Sequence, residues 1–416
     1  MGDALTVNRR EFLATGLAAA GALPLLAQDP PAGLTVHEWG VLCVVQGSNW
    51  ATTAAAGAPF DARKAEKAAY SLDFARTWTA AVGKIIEEWE SRPRVVFKPL
   101  IYFYCKDSQL VSVTVRVPKG RPSVWWPPET EFEPRPQVKP PIEDWQEDQP
   151  MQRREEITPK NGLLHWLNLQ IDPDADPSRF RPSPQDHWWH LARQTDSCPV
   201  IAGRESERFL FYDALTPVEP ALAVDWIAPD RVRLRNDGSR TIPLVVAIRV
   251  LDGKLRAAHL LDLGPGVQRD LAPADSWSGL AGLLEREGLY RKEAEGLQRI
   301  WTREFFQTDG HRVIYSMPRP QIDELLPLEV SPRPAQTVRV LLVQIESLGP
   351  ERAEQLRGLI ERLGEEDPEE REKAAGEIRK LGSLAEGPLR HAAEEASDPE
   401  IRSRAAELLG LVEFKP

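Results

Sequence analysis

Apolar positions alternate along some stretches of the chain, fall silent in others and recur at helical spacing at the end. Residues 34–45 alternate and are rich in Val, Trp and Leu, which predicts a strand. Residues 62–90 place Trp78, Val82, Ile85, Ile86 and Trp89 at helical spacing, which predicts a helix. Two β-rich runs, 95–105 and 110–117, flank Asp107-Ser108, and the spacing predicts a hairpin. Strand character resumes over 163–171. From Glu207 onward short runs follow one another: 208–212, 221–226, 231–235, 242–250 and 255–263. Asn236-Asp237-Gly238 and Asp252-Gly253 supply turns, so an antiparallel sheet or sandwich is expected. Residues 280–306 read as helix. Residues 311–317 and 337–345 read as two further strands, with 325–330 between them.

Two stretches break the pattern. Residues 118–162 are dense in proline, with pairs at Pro127-Pro128 and Pro140-Pro141. Proline fixes φ and removes a donor, so a long irregular excursion is expected there. Residues 172–184 form a second, Asp- and Pro-rich stretch.

The C-terminal pattern is a repeat. Asp367-Pro368-Glu369-Glu370-Arg371 recurs 31 residues later as Asp398-Pro399-Glu400-Ile401-Arg402. Each copy offers Asp as N-cap and Pro at the first helical position. Ala374, Ala375 and Ile378 map onto Ala405, Ala406 and Leu409, and the segment resembles HEAT-type helical repeats. Four helices make about two repeats, so docking on the body or on a partner is expected. The expected class is α+β, a β-rich antiparallel sheet or sandwich body with a C-terminal HEAT-like helical repeat. The expected divisions are a leader at 1–27, the body at 28–276, an α+β extension packed on it at 277–348, and the repeats at 349–416.

The N-terminus bears on address. Asn8-Arg9-Arg10-Glu11-Phe12-Leu13 closely resembles a twin-arginine export motif, and a mildly apolar run follows to Ala27. That run is shorter than the roughly 20 residues a membrane span needs, so it reads as a cleaved leader. The expectation is a periplasmic or secreted protein with no membrane insertion after cleavage. His37-Glu38-Trp39-Gly40, Leu100-Ile101-Tyr102-Phe103-Tyr104, Glu207-Arg208-Phe209-Leu210-Phe211-Tyr212 and Leu325-Leu326-Pro327-Leu328 carry a second resemblance. They are similar to a set of exported bacterial proteins, abundant in planctomycete-type genomes, that have no assigned activity. The resemblance supports the address and the domain plan and implies no mechanism.

Composition narrows the chemistry. The net charge is −11, with 17 acids against 11 bases from Glu351 onward, and no basic block is present. Phosphate neutralisation supplies most nucleic-acid affinity, so a nucleic-acid partner is excluded. The three cysteines, Cys43, Cys105 and Cys198, form no C-x-x-C pair, which leaves one bridge plus a free thiol or three buried thiols. No nucleophile elbow, P-loop, dinucleotide fingerprint or zincin helix occurs.

Three constellations remain. Asp186, His187 and His190, with His165 upstream, could hold a metal if the two histidines share a helical face; the alternative is a Trp-rich core segment. Asp172, Asp174 and Asp176 have a cation-like spacing, but Pro177 stands where an EF-hand needs Gly, so a solvated turn is preferred. Trp125, Trp126 and Trp145 lie in the proline-rich excursion and form a candidate platform for a glycan or protein partner, or else plug a sheet edge. The combined expectation is a non-catalytic binding protein with an envelope protein or glycan as partner, and no cofactor. A secreted hydrolase with a metal at the His187/His190 segment, and an envelope assembly factor, are the alternatives.

Overall fold

The computed structural model describes residues 33–46, 95–97, 99–127, 131–133, 161–180, 188–216, 218 and 220–412. The leader, the helix expected at 62–90, Trp145, Asp186 and His187 lie outside the described residues.

The described chain opens with β1 (Thr35–Gln46), β2 (Val95–Phe97), β3 (Leu100–Tyr104) and β4 (Gln109–Val117). β5 (Arg121–Trp126), β6 (Glu131–Glu133) and β7 (Gly162–Ile171) lead to a short helix, α1 (Trp188–Ala192). Then come β8 (Val200–Ala202), β9 (Glu205–Glu207), β10 (Leu210–Thr216), β11 (Leu222–Ala228) and β12 (Arg231–Asn236). β13 (Ile242–Leu251), β14 (Lys254–Leu263) and β15 (Gln268–Leu271) precede α2 (Ala281–Arg286) and α3 (Arg291–Ile300). β16 (Gly310–Ser316), α4 (Arg319–Leu325), β17 (Leu328–Ser331) and β18 (Gln336–Ser347) complete the body. The C-terminal helices are α5 (Pro350–Glu361), α6 (Pro368–Leu381), α7 (Glu386–Glu395) and α8 (Pro399–Val412). The α+β class expected from the sequence is the class observed.

A nine-stranded sheet is the centre of the body, running β14-β13-β16-β18-β1 and on to β2, β3 and β10, with β5 at its rim. Its pairings are antiparallel except for β1 and β18, which run parallel in register from Thr35 opposite Gln336 to Gln46 opposite Ser347. A six-stranded sheet (β17-β4-β7-β8-β9, with β6 on β7) and a three-stranded sheet (β11-β12-β15) are separate from it. Alternation along the central strands sorts side chains into two cores. Val36, Ile101, Phe103, Tyr315 and Val343 share one core with Val113, Trp166 and Leu234 of the smaller sheets. Trp39, Tyr102, Ile314 and Leu342 join Leu284, Ala294 and Leu297 of α2 and α3 in the other. The central sheet is therefore covered by strands on one face and helices on the other. This is why the stretch 242–248 is so uniformly apolar: both of its faces are buried.

Several expectations are corrected. Residues 95–105 and 110–117 are not a hairpin. β3 pairs with β1 and β10 in the central sheet, whereas β4 pairs with β7 and β17 in the six-stranded one. The turn between them is a corner from one sheet to the other, placed so that Phe103 and Val111 face a shared core. Part of the expected irregular excursion is strand: β5 pairs with β10, and its Pro122 is tolerated at a rim that has a single neighbour. The helix expected over 280–306 is broken at Gly288, whose φ of 103° is unfavourable for side-chain-bearing residues. Residues 277–348 share the body's cores, since β16 and β18 lie between β13 and β1. The Asp252-Gly253 turn is as expected: both residues have positive φ, 51° and 71°, and join Leu251 to Lys254.

The C-terminal helices start where the repeat places them. Asp367 accepts the Glu369 N–H at 2.9 Å and Asp398 the Glu400 N–H at 2.8 Å. Their apolar stripes converge on a core of their own, built from Leu356, Leu363, Ile378, Leu389, Ala405 and Leu408 with neighbours. Of the buried members, Leu348 comes from the linker after β18. The unit touches the body through α5 on β11 and through residues 382–385 on β1.

Candidate functional site

The tryptophans nominated from sequence take structural places. Trp126 lies opposite Phe211 on β10 and is buried in the helix-side core, so its ring offers no open platform. Trp125, opposite Tyr212, is half-buried against the other core. A 2.9 Å bond from the Trp166 indole to the Pro127 carbonyl fixes the end of β5.

Of the four metal candidates, His165 and His190 are among the described residues. His190 is half-buried on α1, whose Trp189 enters the helix-side core. His165 is on β7, opposite Thr114 and Glu131, flanked by Leu164 and Trp166 of the opposite core. No group of three or more His, Cys, Asp or Glu able to hold a metal occurs among the described residues. Trp189 donates to Glu207 at 2.7 Å, and the Arg193 guanidinium binds the same carboxylate at 2.8 and 2.6 Å. The aspartates are turn formers. Asp172 accepts the Asp174 N–H at 3.1 Å, and Asp176 caps the turn Pro177–Arg179 by accepting from Ser178. Those bonds from Ser178 hold the Asp176 carboxyl below its ordinary pKa.

Sequence reasoning passed over a pair of buried titratable residues on β1. His37 and Glu38 are adjacent and fully buried, and alternation sends them to opposite faces. On the helix side, His37 Nδ1 donates to Glu293 of α3 at 2.7 Å. The same Glu293 oxygen accepts the Tyr290 N–H at 2.8 Å, closing the start of α3. Tyr104 and Tyr290 flank the imidazole at 5.2 and 4.4 Å between ring centres. Burial, and then the Glu293 carboxylate, push the Tyr104 phenol well above its usual pKa. On the strand side, Glu38 accepts from Tyr212 at 2.6 Å and pairs with Arg339, its direct neighbour across the parallel β1–β18 register. Arg339 also reaches Asp323 at 2.8 Å and the Leu326 carbonyl at 2.7 Å. Burial works against the Arg339 charge, but Glu38 and Tyr212 outweigh it and raise its pKa. The available signal was a His-Glu pair inside an apolar strand. With both residues sealed from solvent, these networks clamp β1 to α3, α4, β10 and β18.

One open feature among the described residues lies in the helical unit. α5, α7 and α8 enclose a groove of about 250 Å³ with Ile360, Ala392, Pro388 and Ile401 along it. Glu361, Glu395 and Asp398 also line it. The single guanidinium there, Arg357, pairs with Glu354. Gly364 permits the close approach that shapes one end, since a Cβ there would lie 2.9 Å from Asp398 Oδ2 and from Ile401 Cγ1. The groove is therefore apolar along its length with a net acidic border.

No protein-family model and no curated protein sequence matches the chain. Among solved structures, the zebrafish (Danio rerio) Fcho1 mu homology domain with bound Eps15 peptide is similar at 8% identity and a TM-score of 0.28, covering 77% of this chain and 99% of that one. The yeast delta-COP-I mu-homology domain is similar at 7% identity and a TM-score of 0.25, covering 76% and 95%. Its complex with a Dsl1 WxWxV peptide gives 8% identity and a TM-score of 0.24, covering 76% and 96%.

Proposed function

We propose that this is an exported, non-catalytic binding protein that holds a basic, partly apolar protein segment in the groove of its C-terminal helices. The observation that carries the reading is the groove's lining, an apolar strip bordered by Glu361, Glu395 and Asp398. Such a strip favours a segment presenting small aliphatic side chains, and the carboxylates favour Lys or Arg beside them. The twin-arginine-like leader supports a partner in the cell envelope. A protein partner is preferred to a glycan because Trp126 is taken up by the core.

The test is a titration of the purified mature protein with two fluorescent peptides of equal length. One alternates Leu and Lys at helical spacing, and the other replaces Lys with Glu. Salt-sensitive binding of the basic peptide alone is expected. Glu361→Lys with Glu395→Lys should weaken it by about tenfold or more, roughly 1.4 kcal/mol. Equal binding of both peptides, or none, would remove the reading.

A further inference from the structure

We infer that Cys105 and Cys198 are a redox pair that closes to an intramolecular disulfide on meeting a disulfide-class oxidant. Their sulfurs lie 3.5 Å apart, in van der Waals contact. The backbone already ties the two segments together, because the Cys198 N–H donates to the Phe103 carbonyl at 2.7 Å. The Cys105 N–H donates to Cys198 Sγ at 3.3 Å, and the Cys198 thiol lies 3.4 Å from the Cys105 carbonyl. Closing to about 2.05 Å asks for small side-chain rotations, with both backbones held in place.

The pair sits where a bond would matter. Cys105 follows β3 of the central sheet and leads into the corner toward β4. Cys198 lies between α1 and β8 of the six-stranded sheet. Neighbours of Cys198 carry the polar ties of this region: Arg208 donates to the Ser197 carbonyl at 2.6 Å, and Arg193 binds Glu207. A disulfide would fasten the two sheets together at this corner, across a separation of 93 residues. Both sulfurs are buried, but Lys106, Asp107 and Ser108 beside Cys105 and Asp196 beside Cys198 are exposed, so a small oxidant needs only local opening. The hydrogen bond with Cys198 draws the Cys105 thiol below its usual pKa against the effect of burial, which makes Cys105 the attacking group.

The step balances as thiol–disulfide exchange. The Cys105 thiolate attacks one sulfur of the oxidant, breaking its S–S bond and releasing one small thiolate. Cys198 then gives up its proton and attacks Cys105 Sγ in the mixed disulfide, releasing the second. One protein S–S bond forms and two protein S–H bonds are lost, and the protein's two electrons and two protons pass to the oxidant, which leaves as two small thiols.

The experiment exposes the purified full chain to cystine, traps free thiols with N-ethylmaleimide under denaturing conditions, and digests it without reduction. The expected product is a peptide pair linked through Cys105 and Cys198, with Cys43 alkylated. Oxidation should also raise Tm by roughly 5 °C or more, reversibly with dithiothreitol. Cys43→Ser should keep that shift, and Cys105→Ser or Cys198→Ser should lose it. Full alkylation of Cys105 and Cys198 after cystine, or a bridge that uses Cys43, would overturn the inference. The wild-type peptide map decides even where a variant does not fold.

Discussion

Two adjacent residues, His37 and Glu38, carry much of the body's polar interior, and each is answered by a different element. Removing one partner of a fully buried ion pair leaves a stranded charge, which typically costs about 3–5 kcal/mol. Arg339→Leu is expected to fall in that range in chemical denaturation, because Glu38 has 0% exposure and would keep only Tyr212 and whatever water enters. The double variant Arg339→Leu with Glu38→Leu should recover a large part of the loss. A double variant as unstable as the single one would show that packing, and not charge pairing, sets the cost. Gly349 is a second residue-scale constraint. A Cβ there would lie 2.2 Å from Cε1 of the His311 ring, which is held by the Pro229 carbonyl at 3.1 Å and by T-shaped packing with Trp226. Gly349→Ala should lose roughly 1–3 kcal/mol in thermal unfolding, as overpacking does. Unchanged stability would mean the ring moves freely.

At the scale of elements, the helix starts and the junction between the helical unit and the body can be probed separately. Asp367 spends a side-chain oxygen on the Glu369 N–H, so Asp367→Ala should cost about 1 kcal/mol, while Asp367→Asn should cost little. Equal losses would point to charge in place of the cap bond. The junction has a pH signature through His311. Burial holds its imidazole below the ordinary value of 6.5, the Pro229 carbonyl pulls the other way, and Arg249, Arg352 and Arg312 repel a proton. The unfolded chain therefore takes up this proton at a higher pH than the folded one. The stability from this group is whole above about 6.5 and is lost as pH falls from there through the folded value. Tm measured from pH 7.5 down to pH 5.5 should drop less in His311→Gln than in the wild type. Parallel curves would assign the acid sensitivity elsewhere.

For the whole molecule, address and docking go together. Arg9→Lys with Arg10→Lys is expected to leave the precursor in the cytoplasm, read by fractionation and by retention of the leader. Normal export of that variant would remove the twin-arginine reading and, with it, the argument for an envelope partner. Peptide binding in the helical groove would be untouched by that outcome, since it depends on residues 357–401.

Local pattern determined a good deal of this protein. Alternation marked β1, β-rich runs bounded by turn residues marked β4, β7 and β10 through β14, and Asp-Pro pairs marked the starts of α6 and α8, because strand runs, turns and caps are set by residues a few positions apart. Asp252-Gly253 wrote its own turn for the same reason. What the sequence could not decide was partnership across distance. β3 and β4 read as a hairpin because each is a good strand beside a good turn, yet burial of both faces sent them to different sheets. Trp125 and Trp126, set among prolines, read as either a binding platform or a plug for a sheet edge, and local sequence could not name β10 as the edge that β5 joins. The answering groups for His37 and Glu38 lie 256 and 301 residues away, and no local rule pairs a charge with a partner at that range. Nor does any spacing bring Cys105 to Cys198. Those contacts exist because a charged or polar group buried in a sheet covered on both faces is costly without a partner, and only the assembled layers determine which residues are near enough to supply one.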